Sequence, residues 1–83
     1  MSEQFPFFSV SVTVSESNKG LDLGRLGNYT GAIIYLDKAL AIDPHDVRTL
    51  NNKGLSLDRL GNHTGAIIYY DKALSIDPFN VNA

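Results

Sequence analysis

Few side chains in this sequence could do chemistry. His45 and His63 are the only histidines, and there is no cysteine. A zinc site needs three or four imidazole, thiolate or carboxylate ligands converging on one point. His45 follows Pro44 in a segment that reads as a turn, His63 belongs to a different element, and neither has a paired carboxylate. No metal site is expected. The serines and threonines lack a general base at fixed spacing to activate a hydroxyl. No glycine-rich G-x-x-x-x-G-K-[ST] loop is present to cradle phosphates. Asp37-Lys38 and Asp71-Lys72 read as solvated surface pairs worth under about 1 kcal/mol each. The sequence therefore leads to an expectation of no catalytic residue, no metal and no cofactor, and to a chain that is not an enzyme.

Charge narrows the remaining classes. Seven basic and nine acidic residues give a formal charge of −2 and are spread along the chain. No basic stripe is available to follow a phosphate backbone, so nucleic-acid binding is not expected. No stretch approaches the roughly 20 apolar residues of a membrane span, and MSEQFPFFSVSVTV has no basic leader. With the absence of cysteine, this favours a cytoplasmic reading. What remains is recognition of another protein.

The elements that must present such a surface are set by repetition. Residues 18–44, NKGLDLGRLGNYTGAIIYLDKALAIDP, and 52–78, NKGLSLDRLGNHTGAIIYYDKALSIDP, align at an offset of 34 and differ at only five positions, 22, 24, 29, 36 and 41 of the first copy. A fixed period of this length marks a stacked architecture built from helix–turn–helix units. In the second copy Leu50, Leu57 and Leu60 fall at helical spacing and are followed by Gly61, a helix stop. Asn62 then serves as the cap of a second helix, whose apolar face is Ala66, Ile67, Tyr70, Ala73 and Leu74. Asp77-Pro78 ends it, because a residue before proline is pushed out of the helical region. Leu23, Leu26, Gly27, Asn28, Ala32, Ile33, Leu36, Ala39, Leu40 and Asp43-Pro44 repeat the pattern in the first copy. Gly20 and Gly54 fall mid-helix, where glycine costs roughly 1 kcal/mol against alanine, and so point to a close approach by a neighbouring helix.

Glycine at 20 and 54, leucine at 23 and 57, alanine at 32, 39, 66 and 73, Tyr29, Tyr70 and proline at 44 and 78 resemble the tetratricopeptide repeat signature at its spacings. The resemblance covers about residues 15–80. It implies an all-α solenoid of about four helices, in antiparallel A and B pairs, with a first repeat over 15–46, a second over 47–80 and the truncated start of a third at 81–83. It also implies a concave groove lined by the A helices, where a partner peptide or helix lies. Asn18, Leu21, Arg25, Arg48, Asn51, Asn52, Leu55, Asp58 and Arg59 are the residues placed on that groove. Some members of the family clamp a peptide's terminal carboxylate there. Only Asn52 matches a clamp position, since Leu21 and Ser17 stand where asparagine and lysine would be required.

Three departures from the family pattern shape further expectations. Val10, Val12 and Val14 alternate with Ser9, Ser11 and Thr13, a period of two that reads as strand. Residues 1–14 are therefore expected to be extended or disordered, with an edge strand pairing to another chain and a continuation of the helix as the alternatives, and the first A helix is expected to be degenerate. Lys19 and Lys53 replace a leucine of the family, and Gly31 and Gly65 replace an acidic residue of the capping box, which should weaken the start of each B helix. Finally, FNVNA is in register with the opening of a further repeat, so the outer face of the last B helix is expected to be exposed. Ile34, Tyr35, Ile68 and Tyr69 would then form a flank for self-association. The partner is accordingly expected to be another protein, with a second copy of this chain as the other candidate.

Overall fold

The computed structural model describes residues 5–79, with side chains from residue 12 onward. Four helices follow in order: α1 (Phe5–Arg25), α2 (Tyr29–Ile42), α3 (Val47–Arg59) and α4 (His63–Ile76). No strand occurs among the described residues. Gly20 lies against Leu36 and Gly24 against Ala32, so α1 and α2 run antiparallel. Helices α3 and α4 form the second hairpin, with Gly54 against Tyr70, and α2 packs on α3 to join the two.

The hairpin turns follow from local chemistry. Gly27 and Gly61 take φ of 86° and 90°, which a side chain would disfavour. The N–H groups of Asn28 and Asn62 reach back to the carbonyls of Leu23 and Leu57 at 2.8 Å, and those of Gly27 and Gly61 to Gly24 and Asp58 at 3.0 Å. Together these bonds satisfy the carbonyls that a helix end leaves free. The same two asparagines then open the next helix, each Oδ1 accepting from the N–H of Gly31 or Gly65 at 2.9 Å. A Cβ on either glycine would sit 2.6 Å from the capping amide. The missing acidic residue of the capping box is thus replaced by space for a tight asparagine cap.

The core joins four alanines to two leucines. Ala32, Leu36, Ala39, Leu50, Ala66 and Ala73 are buried. At Gly20 a Cβ would lie 2.7 Å from the Leu36 side chain and 3.1 Å from the Ala32 carbonyl. Absence of that atom is what lets α1 and α2 close, and this supplies the reason for tolerating glycine mid-helix.

The N-terminal expectation is overturned. Residues 5–14 are helical, part of α1, and neither extended nor an edge strand; residues 1–4 lie outside the described residues, as do 81–83. The first A helix continues well before the position matching the start of α3. Thr13, Ser17 and Gly20 fall on one helical stripe and are buried, and the Ser17 hydroxyl hydrogen-bonds Thr49 of α3 at 2.9 Å. Extending an existing helix costs no new nucleus. β-branched residues disfavour helix by only about 0.5 kcal/mol each, less than the packing of this stripe against its neighbours returns. The stripe is invisible to a search for apolar periodicity because two of its members are hydroxyl residues.

Candidate partner-binding groove

Helices α1 and α3 lie side by side, and between them is a hollow of about 270 Å³. Leu21 and Leu55 form its apolar walls, Arg25 and Arg59 line it near the C-terminal ends of the two helices, and Asn52 lies towards the middle of α3. Gly20, Gly24, Tyr29 and Ser56 complete the lining. A second hollow, lined by Asn51, Asn52, Leu55 and Tyr70, continues from it across α3. Asn52 and Leu55 belong to both.

Polar satisfaction in this groove is incomplete. Asn51 is only 4% exposed, and among the described residues its Oδ1 and the Nδ2 of Asn52 are buried without a hydrogen-bond partner. Leaving a buried amide group unpaired costs about 1–3 kcal/mol. At the helix ends Arg25 lies 4.0 Å from Asp22, both well exposed, a pair worth little in water. Burial raises the Tyr70 phenol above its usual pKa, with Asp58 adding to the rise and Arg59 opposing it. It therefore stays a neutral hydrogen-bond donor at the groove edge.

Of the residues expected on the groove, Leu21, Arg25, Asn52, Leu55 and Arg59 line the first hollow and Asn51 the second. Asn18 and Arg48 are exposed but line neither. Asp58 instead engages the His63 imidazole at the α3–α4 turn. Ser17 is buried against Thr49. Gly20, Gly24, Tyr29, Ser56 and Tyr70 line the hollows without having been placed on the groove from sequence, yet for the last four a signal existed. They belong to four of the five pairs at which the two copies differ; the fifth, Ala41 and Ser75, lines neither hollow.

The expected flank divides in two. Ile34 and Ile68 are 53% and 51% exposed. Tyr35 and Tyr69 are half-buried and carry lysine ammoniums over their rings, from Lys19 and Lys38 at 4.8 and 4.7 Å and from Lys53 and Lys72 at 4.3 and 4.7 Å. Ammonium groups at this distance are attracted to the ring face, so the tyrosines are not bare apolar surface. Lys53 also donates to the Asp37 carboxylate of α2 and, at 3.0 Å, to the Tyr69 hydroxyl. Burial alone would lower its pKa, but those hydrogen bonds and the charge of Asp37 outweigh it and raise the pKa above the ordinary lysine value.

A model of the tetratricopeptide repeat matches residues 17–81. The chain belongs to the tetratricopeptide repeat family. No curated protein was found to match it. Tetratricopeptide repeats generally mediate protein–protein interaction and are typically modules without enzymatic activity. Among the described residues of this tetratricopeptide repeat chain there is no cluster of three or more potential metal ligands, and no helix is long and apolar enough to cross a membrane.

Proposed function

We propose that this chain binds an extended segment of a partner protein in the groove along α1 and α3, with the segment's backbone hydrogen-bonded by Asn51 and Asn52. The observation that carries this reading is the pair of orphaned amide atoms, which lie buried beneath the groove and reach a ligand once the side-chain amides turn outward. Asn51 Oδ1 can accept only from a donor, and Asn52 Nδ2 can donate only to an acceptor. A peptide backbone offers both along one edge. Leu21 and Leu55 would take an apolar side chain, and the guanidiniums of Arg25 and Arg59 would take a carboxylate in the fork geometry that arginine favours.

Asn52→Ala separates binding from folding. Removing an unpaired buried donor should leave the melting temperature unchanged or raise it, whereas loss of one ligand hydrogen bond should weaken binding about tenfold. The measurement is fluorescence anisotropy with members of an array of extended peptides carrying a carboxylate next to an apolar residue, read alongside thermal melts. Arg59→Ala should weaken the same peptides and flatten their salt dependence. Binding that survives both substitutions unchanged places the peptide elsewhere and ends this reading.

A further inference from the structure

The chain contains its own template for a second interface. Within it, α2 packs on α3 and Asp37 of α2 accepts from Lys53 of α3. Ile33 and Leu40, one turn to either side of Asp37 on the same face of α2, are partly buried. The matching stripe on α4 is Ile67, Asp71 and Leu74, identical in residue type. The two stripes differ at their first member: Ile67 is 56% exposed where Ile33 is partly buried, whereas Leu74 keeps the partial burial of Leu40 and Asp71, like Asp37, is exposed. At the other end of the molecule, α1 presents the counterpart of the α3 surface. Lys19 matches Lys53 and Leu23 matches Leu57. Lys19 is exposed and, among the described residues, has no carboxylate in salt-bridge range. Among the described residues, one end of the stack therefore carries an ammonium that rests on the Tyr35 ring with no carboxylate beside it, and the other a carboxylate with no cation in range, at positions that already form a bridge when the two repeats meet inside one chain.

We propose that copies of this chain associate head to tail, α1 of one copy seating on α4 of the next, with Lys19 pairing to Asp71 of the next copy. The interface is heterologous, so it leaves a free end at each stage and builds an open series rather than a closed dimer. It uses Ile67 and not Ile68, because in the internal joint Ile33 is the covered residue while Ile34 stays 53% exposed. One substitution sets the joint between copies apart from the internal one. Glu16 stands at the position of Leu50, which is only 2% exposed in the internal joint. Bringing a carboxylate to that place opposes association, so the joint between copies is weaker than the one within. This inference is independent of what the groove binds.

Sedimentation velocity over a hundredfold range of protein concentration tests it, with circular dichroism to confirm that each variant keeps its helices. The average mass of the native chain should rise with concentration without levelling at a dimer. Lys19→Glu and Asp71→Lys should each abolish the rise, and an equimolar mixture of the two should recover it, because native charges pair at one junction and the two reversed charges, again opposite in sign, at the next. Ile67→Glu should abolish association and Ile68→Glu should leave it intact. Glu16→Leu should tighten association at least about tenfold. A native chain that stays monomeric throughout overturns the proposal. So does a dimer indifferent to Lys19 and Asp71, which would indicate α4 packing on α4, and so does association lost with Ile68→Glu but kept with Ile67→Glu.

Discussion

Helices α2 and α4 are each 14 residues long and differ at three positions, yet they live in different surroundings. Ala32, Leu36 and Ala39 of α2 are fully enclosed. In α4 only Ala66 and Ala73 are buried, Ile67 is 56% exposed, and Tyr70, the counterpart of Leu36, is half-buried beside an open hollow. The difference arises from neighbours: α2 lies between α1 and α3, whereas among the described residues α4 packs on α3 alone. In a stacked repeat each unit buries its remaining apolar surface against the next one. The same side chain is therefore core in one copy and surface in the other.

Truncating the two equivalent side chains should expose this contrast most clearly. Leu36→Ala removes a wholly enclosed side chain that fills the space left by Gly20, and should cost about 3 kcal/mol of unfolding free energy in chemical denaturation. Tyr70→Ala, at the half-buried position, should cost distinctly less. Equal losses would mean that the two hairpins share one degree of enclosure after all. Features made only of local chemistry should behave in the opposite way. Asn28→Ala and Asn62→Ala each remove one cap of the same geometry, so both should cost about 1 kcal/mol and by nearly equal amounts.

The smallest effect concerns pH. Lys53, which bridges the two repeats, has a pKa raised above the ordinary 10.5. A group whose pKa is higher folded than unfolded contributes its full stabilisation below the unfolded value and loses it as pH rises through the folded one. Stability should therefore decline above about pH 10.5, and Lys53→Met should shallow that decline. Denaturant midpoints measured from neutral to strongly alkaline pH check this. A decline of the same steepness in the variant would assign it to other groups.

Of the nine residues expected on the groove, six line the two hollows, because their positions on α1 and α3 follow from the helical period and the repeat register, both written in the chain. Asp58 lines neither hollow; its carboxylate engages His63 across the turn, a contact that depends on how the second hairpin closes. Tyr70 was assigned to the apolar face and borders both Gly54 and the second hollow, because α4 has only α3 beside it among the described residues. The flank divided for a similar reason. Tyr35 and Tyr69 attract lysines from their own helix and from the neighbouring one, and only the second kind of contact needs the assembled fold.

By itself the sequence determined the repeat, the order of the helices, the turns at Gly27 and Gly61 and the caps at Asn28 and Asn62. These rest on interactions between residues a few positions apart, which hold wherever the segment is placed. Tertiary structure alone decided that residues 5–14 are helical, that Thr13 and Ser17 are buried, and that Lys53 ties α3 to Asp37. It also left Asn51 and Asn52 with amide atoms unpaired. Each of these depends on which helix lies alongside, and a pattern read along one strand of residues contains no distances between helices.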